Sequence, residues 1–328
     1  MTPEELRDTF AKIRADMKIF CRSVSGIGYN GVTLDDVPHL TDHDFYEVDT
    51  RERIRIYRAE FRELFRIVRN EGIQIYLTMD ILAFTPALKR QLGGSEKRQR
   101  QFFVDLVDRF FVDFPEVAGV VFRIGESDGL DIKEQFRSEL VVKNPKTVNA
   151  WLKAVLPIFE KHKRRCIFRT WTVGAHEVGD LIWHEATLEK TVEGITSPAL
   201  VLSMKYGESD FFRYLSLNRN FFVTSLPKIV ELQTRREYEG CGEYPSFIGH
   251  DYEQLAMELQ EVENVVGISV WCQTGGWTPF RRLVFLDNSS VWTEINTFVT
   301  IRLFKHGELV EEALSRLPDV PNLPALLE

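Results

Sequence analysis

The sequence predicts an α/β fold, a (β/α)8 TIM barrel whose first strand is incomplete or atypical. Seven short apolar runs alternate with amphipathic segments, which is the pattern of a parallel sheet with helical crossovers. Polar residues follow nearly every run, where the loops of a barrel carry its chemistry. The glycine-rich segment Gly26–Gly31 precedes its strand instead of following it, so a dinucleotide-binding loop is out of context. We therefore favour the barrel over an open, doubly wound sheet.

The predicted strands are rich in Val, Ile and Phe, as strands buried in a parallel sheet are. They are Asn30–Leu34, Ile73–Met79, Val117–Ile124, Cys166–Trp171, Leu200–Lys205, Ile229–Gln233 and Val266–Trp271. A barrel of this class has eight strands, so one is unaccounted for. Either Met17–Cys21 supplies a short strand, or the chain begins inside the first βα unit with its first strand missing or replaced.

The segments between the strands carry apolar residues at helical spacing. The predicted helices are Arg51–Asn70, Lys97–Val112, Pro145–His162 and Asp251–Val262, and the charged N-terminal segment has a helical pattern as well. Asn144 is the predicted N-cap of the helix that starts at Pro145. Because no linker, repeat or low-complexity tract interrupts the chain, residues 1–328 are predicted to form one domain, with a helical tail from about 290.

Composition limits the partners of the chain. It has 328 residues and a net charge of −8, which argues against nucleic acid as the main partner. No apolar run approaches the ~18 residues of a membrane span, and the N-terminus lacks a signal-peptide pattern, so a cytoplasmic protein is expected. The cysteines (Cys21, Cys166, Cys241 and Cys272) are scattered, which favours free thiols. His39 and His43 stand in a loop-like context, so we predict neither a metal site nor a cofactor.

Three acidic residues follow apolar runs and are the candidates for catalysis. They are Glu126, Asp210 and Glu237. Two or three carboxylates around one pocket are what glycoside hydrolysis requires, and a carboxyl at a hydrophobic strand end can act as a general acid. Each has an alternative. Glu126 belongs to a cluster that could cap a helix, Asp210 could be a loop or cap residue, and Glu237 could pair with Arg235 or Arg236.

Cations and aromatic residues stand near the same strand ends. Arg169 and Lys205 would bind an anionic group if they face a pocket, and would otherwise pair with nearby carboxylates. The aromatic candidates for sugar platforms are Trp171, Tyr206, Tyr238 and Trp277, and ordinary core packing is the alternative for each.

These motifs resemble the catalytic barrel of the α-glucuronidases, glycoside hydrolase family 67, over about residues 20–285. The likeness rests on SVSGIGYNGVTLDD (Ser23–Asp36), NEGIQIYLTMD (Asn70–Asp80), VAGVVFRIGESDG (Val117–Gly129), FRTW (Phe168–Trp171), MKYGESDF and VELQTRREYEG. It implies that Glu126 is the catalytic acid and that Asp210 and Glu237 are the bases. It further implies that Arg169 and Lys205 contact the uronate sugar.

The resemblance implies an inverting glycoside hydrolase that removes α-linked glucuronic acid, or a related acidic sugar, from an oligosaccharide. It also implies that the family's N-terminal β-sandwich-like domain, C-terminal helical extension and first barrel strand are missing. The family has a Lys four residues before its acid, whereas Phe122 stands here with Arg123 beside it as a candidate substrate-binding cation. The alternatives are a glycosidase for another sugar, a non-catalytic carbohydrate-binding barrel, and a metal-dependent hydrolase.

Overall fold

The computed structural model describes residues 2–125, 136–171, 176–275 and 281–317. The chain divides into two compact units, of which the first comprises Met1–Cys21 and Asn30–Leu202 and the second Arg22–Tyr29 and Ser203–Glu328. No described helix combines the length and the hydropathy that crossing a bilayer would require.

The helices and strands alternate along the chain as the sequence predicts. Up to residue 192 they are α1 (Pro3–Ile27), β1 (Gly31–Asp35), α2 (Val48–Asn70), β2 (Gln74–Asp80), β3 (Ala83–Phe84), α3 (Pro86–Leu92), α4 (Glu96–Asp113), β4 (Val117–Arg123), β5 (Arg137–Ser138), α5 (Pro145–His162), β6 (Arg165–Arg169) and α6 (Glu185–Val192). From residue 200 they are β7 (Leu200–Lys205), β8 (Lys228–Gln233), α7 (Gly249–Glu258), β9 (Val265–Trp271), α8 (Val291–His306) and α9 (Val310–Ser315). Short 3-10 helices form at Pro38–Leu40, Glu177–Ile182, Arg219–Phe222 and Leu259–Glu261.

Seven strands form one sheet in the order β1-β2-β4-β6-β7-β8-β9. The pairs β1–β2, β2–β4, β4–β6 and β8–β9 are parallel, while β3 and β5 form a separate antiparallel pair. This order confirms the predicted α/β fold of TIM-barrel type. In the described ranges the sheet has the seven predicted strands and no counterpart of a first barrel strand.

The suggestion that Met17–Cys21 forms a short strand is wrong, because these residues lie inside α1. Burial along α1 shows the physical reason. Phe10, Met17, Cys21 and Val24 are buried, and they recur at intervals of three to seven residues, as one face of a helix requires. The apolar run is therefore one turn of the buried face of α1. Five residues taken alone are too few to distinguish such a turn from a strand.

Element boundaries match the predicted ones within a few residues. The predicted N-cap is confirmed, since the side-chain oxygen of Asn144 accepts the backbone N–H of Thr147 at 2.9 Å. The strand predicted to reach Trp171 ends at Arg169. In the described ranges all four cysteines are free, with Cys21 and Cys166 buried.

An aromatic cluster packs β4 of the first unit against α4 and α5. Phe122 is 1 % exposed, and its ring centroid lies 5.0 Å from that of Phe103 and 5.6 Å from that of Phe159. Phe122 therefore faces the helices. Because side chains alternate along a strand, Arg123 points to the opposite face of β4, where its Nε donates to Asp80 at 2.8 Å. Phe122 thus belongs to the core.

Candidate active site

The end of β7 holds a buried ion pair. All six residues of β7 are buried, and its last residue, Lys205, is 5 % exposed. Its Nζ donates to Asp210 Oδ1 at 2.6 Å and lies 4.8 Å from the ring centroid of Phe211. Lys205 thus pairs with a nearby carboxylate, which is the alternative that the sequence allows to the binding of an anionic ligand. The Asp210 side chain is 38 % exposed, so the ammonium fixes a carboxylate that solvent can reach.

Asp210 and Glu237 are brought together through the backbone of Phe211. The backbone N–H of Phe211 donates to Glu237 Oε2, and the backbone N–H of Glu237 donates to the Phe211 carbonyl, both at 3.4 Å. The loop after β7 and the loop after β8 are thereby joined at two points. Since Asp210 directly precedes Phe211, the two predicted carboxylates lie at one place, as expected for the ends of neighbouring strands.

The tandem arginines after β8 have different surroundings. Arg236 donates to Asp251 Oδ2 at 2.7 Å and to Ser246 Oγ at 3.2 Å, so it ties the loop to α7. Arg235 is 8 % exposed and, within the described residues, makes one hydrogen bond, from Nη1 to the Arg236 carbonyl at 3.1 Å. Burial lowers the pKa of Arg235, and nearby Glu237 opposes that shift. Within the described ranges neither arginine forms a salt bridge with Glu237, so that alternative does not apply.

One carboxylate inside β8 is a candidate that sequence reasoning missed. Glu231 is 2 % exposed; its Oε1 accepts the indole N–H of Trp271 at 3.0 Å and its Oε2 accepts the Ser203 hydroxyl at 3.5 Å. Trp271 is the last residue of the neighbouring strand β9. The available signal was a lone acidic residue in an apolar strand, since a buried charge requires specific partners.

Glu239 is a second missed carboxylate, two residues beyond Glu237. It is 2 % exposed, and its Oε2 accepts the backbone N–H of Arg236 at 3.2 Å. Its Oε1 is buried and has no hydrogen-bond partner among the described residues. Burial raises the pKa of Glu239, and the backbone hydrogen bond from Arg236 opposes this shift. The motif therefore places a half-buried and a buried carboxylate two residues apart.

The aromatic candidates differ in exposure. Tyr206 is 8 % exposed, and its hydroxyl donates to the Phe212 carbonyl at 2.5 Å, so this side chain supports the loop after β7. Tyr238 is 51 % exposed and its ring centroid lies 5.8 Å from that of Phe212, which is 38 % exposed. Phe212 and Tyr238 therefore form one accessible pair of aromatic rings in these loops, in which Tyr214 and Tyr244 are also exposed.

The remaining candidates belong to the first unit or lie outside the described residues. Arg169 is 6 % exposed at the end of β6, and Trp171 is half-buried. Arg123 is held by Asp80. Glu126 and Trp277 both lie outside the described residues.

Comparisons with known proteins give similarity in structure but not in sequence. No model of a known protein family matches the chain, and no curated protein matches it. A GH138 enzyme targeting pectin rhamnogalacturonan II is 13 % identical with a TM-score of 0.66, over 95 % of this chain and 37 % of that one. The β-mannanase of the blue mussel Mytilus edulis is 11 % identical with a TM-score of 0.52, over 92 % and 88 %.

The endoglucanase Cel5A of Pseudomonas stutzeri is 12 % identical with a TM-score of 0.51, over 85 % of this chain and 84 % of that one. The chain thus spans little more than a third of the GH138 enzyme and most of the other two. At such low identity the likeness shows the fold, and a resemblance to α-glucuronidases in particular stays a prediction. The chain has the TIM-barrel type of α/β fold found in these glycoside hydrolases.

Proposed function

We propose that the chain is a glycoside hydrolase that removes an α-linked glucuronic acid, or a related acidic sugar, from an oligosaccharide. The observation that carries the proposal is the junction of Asp210 and Glu237 through the backbone of Phe211. It places two accessible carboxylates on loops that follow neighbouring strands of a TIM-barrel type of sheet. That is where barrel enzymes keep their catalytic residues, and paired carboxylates are what glycosidases use.

In the proposed mechanism the sugar bond is cleaved with inversion. Glu126 protonates the glycosidic oxygen, while Asp210 and Glu237 orient and deprotonate a water on the opposite face of the sugar. Lys205 holds Asp210 in position through its 2.6 Å hydrogen bond. The contacts of Asp210 and Glu237 support their proposed role as bases. The role of Glu126 as the acid rests on the sequence resemblance.

Substrate binding in this proposal uses the cations and aromatic rings around the strand ends. Arg169 and Lys205 contact the uronate sugar, and Arg123 contributes further positive charge. The aromatic candidates Trp171, Tyr206 and Trp277 line the sugar site, though Tyr206 does so with its ring because its hydroxyl is bound to the Phe212 carbonyl.

A glycosidase for a neutral sugar is the second candidate. The likeness in fold to a mannanase and an endoglucanase supports it, as does the engagement of Lys205 by Asp210. The two candidates differ in one measurable quantity, which is the ratio of kcat/KM between a uronide and the corresponding neutral glycoside.

The test is hydrolysis of aldouronic oligosaccharides and matched neutral oligosaccharides, with the anomeric form of the product followed by NMR. We expect an inverted anomer and a preference for the uronide. Asp210→Asn and Glu237→Gln should each reduce kcat by about 100-fold or more, while Glu208→Gln, an exposed glutamate of the same loop, should have no effect. Absence of turnover on every substrate would refute the hydrolase. Equal rates on both classes would favour the neutral-sugar candidate.

A further inference from the structure

The polar residues at the end of β8 and just after it point to two different sides of the strand. The hydroxyl of Thr234 is bonded to Thr297 on α8, and Arg236 is bonded to Asp251 on α7. These residues therefore face the helices. Gln233 and Arg235 alternate along the chain with these two residues, so we place their side chains on the side opposite to α7 and α8.

Glu231 lies on the same side of β8 as Gln233, facing away from the helices. It follows the same alternation as Gln233 and Arg235, and its carboxylate contacts the side chains of Ser203 on β7 and Trp271 on β9. The face away from the helices thus presents a carboxylate, an amide and a guanidinium at every second position. A sheet face that only packed a core would present apolar side chains there.

Gln233 and Arg235 are both buried, and within the part of the chain that the structure describes the side-chain oxygen of Gln233 lacks the partner that a buried polar group normally has. Gln233 is 5 % exposed, and its Oε1 is buried with no hydrogen-bond partner among the described residues. The guanidinium of Arg235 is 8 % exposed, has five N–H donors and uses one of them in a hydrogen bond within the described ranges. Unsatisfied groups of this kind destabilise a fold and are characteristic of sites that a ligand completes.

The charges around Arg235 fit an anion-binding position beside the proposed base. Burial is the largest cause of its lowered pKa, and Glu237 and Glu239 act against that shift without forming a salt bridge to it in the described ranges. The cation is therefore desolvated, and the positive charge of Arg281 also lowers its pKa. A planar, desolvated guanidinium is complementary in shape and charge to a carboxylate, which it can bind through two parallel hydrogen bonds.

We propose that Arg235 binds the carboxylate of the acidic sugar and that the amide of Gln233 binds a hydroxyl of the same sugar. This inference rests on the proposed function, and it adds a specificity-determining residue that the sequence resemblance does not include. The two residues are two positions apart along the chain, so their Cα atoms are separated by at most about 7 Å. That distance suits two groups on one sugar ring.

The first test compares two probes that differ at one carbon, methyl α-D-glucuronide and methyl α-D-glucoside. Isothermal titration calorimetry on the full chain should show the glucuronide binding about tenfold or more tightly, as a charged hydrogen bond predicts. Arg235→Gln should abolish this preference, and Arg235→Lys should retain part of it because the charge remains but the fork is lost. Arg219→Gln, which removes an exposed arginine of the same unit, should leave the preference unchanged.

The second test separates a binding role from a structural one through thermal unfolding. Burial lowers the pKa of Arg235, which means that its charge opposes folding, so the Tm of Arg235→Gln should equal or exceed that of the parent protein. A preference that survives in Arg235→Gln, or is absent from the parent protein, overturns the inference. So does a clear fall in Tm in both Arg235 variants.

The outcomes also distinguish this inference from the hydrolase proposal. If the parent protein cleaves uronides and Arg235→Gln keeps the preference, the hydrolase stands and the inference fails. If Arg235→Gln abolishes the preference in binding but no oligosaccharide is cleaved, Arg235 is the carboxylate site of a binding protein and the hydrolase proposal fails.

Discussion

The stability of the first unit should fall in mild acid because of one histidine. The ring of His43 lies among three aromatic rings, at centroid distances of 5.1 Å from Phe45, 5.2 Å from Tyr46 and 5.0 Å from Phe102. Its Nε2 is buried without a hydrogen-bond partner in the described ranges. The pKa of His43 is lowered to about 4, chiefly by burial and also by the positive charge of Arg109, while Asp42 and Asp44 oppose the shift.

The direction of the effect follows from proton linkage. The unfolded chain binds a proton at His43 near the ordinary pKa of about 6.5, whereas the folded chain does so near 4. His43 therefore supports folding fully above the unfolded pKa and loses that contribution as the pH falls toward 4. Between pH 7 and pH 5 the linkage amounts to about 2 kcal/mol, and because the ring is partly exposed we expect about 1–2 kcal/mol.

The assay is urea unfolding at pH 7 and pH 5 of the parent protein and of His43→Phe, which keeps an aromatic ring but cannot titrate. The free energy of unfolding of His43→Phe should fall about 1–2 kcal/mol less than that of the parent. His250→Phe, which replaces an exposed histidine, should follow the parent. Equal pH dependence of His43→Phe and the parent would show that His43 is solvated and would refute the reasoning.

Two further predictions concern buried side chains near the candidate site and in the core. Because burial raises the pKa of Glu239 in the folded chain, its ionisation opposes folding as the pH rises through that pKa. Glu239→Gln should therefore gain Tm relative to the parent between pH 4 and pH 7, and a constant difference in a thermal scan would contradict this. Phe122→Ala should lower the free energy of unfolding by about 3–5 kcal/mol because it empties a site between Phe103 and Phe159. Arg123→Gln, on the other face of β4, should cost less in the same urea titration, and similar costs would contradict the assigned faces.

The fold was predictable because its signals are local. Each strand is a short apolar run, and helices such as Pro145–His162 carry both a capping residue and a helical period, so no long-range information is needed. The error at Met17–Cys21 has the same origin. A window of five residues does not distinguish a strand from one turn of a buried helix, and only the whole of α1 shows the period.

The candidate site was predictable only in part, since its decisive contacts join distant residues. The positions of Asp210 and Glu237 followed from strand ends, whereas their junction through Phe211 depends on two loops meeting. The pairing of Lys205 was open to two interpretations until its partner was located. Arg235 and Arg236 are neighbours of the same type in the sequence. Their different roles arise from the face each occupies, which requires the contacts of Arg236 with α7.

The double hydrogen bond between Phe211 and Glu237 has a kinetic consequence. Two loops joined at both a carbonyl and an N–H resist independent motion, so a displacement of one proposed base shifts the other. Substitutions in the two loops should then combine non-additively in kcat, as residues acting as one unit do. Under the proposed function, a change of sugar specificity that required moving one carboxylate would therefore move the other as well.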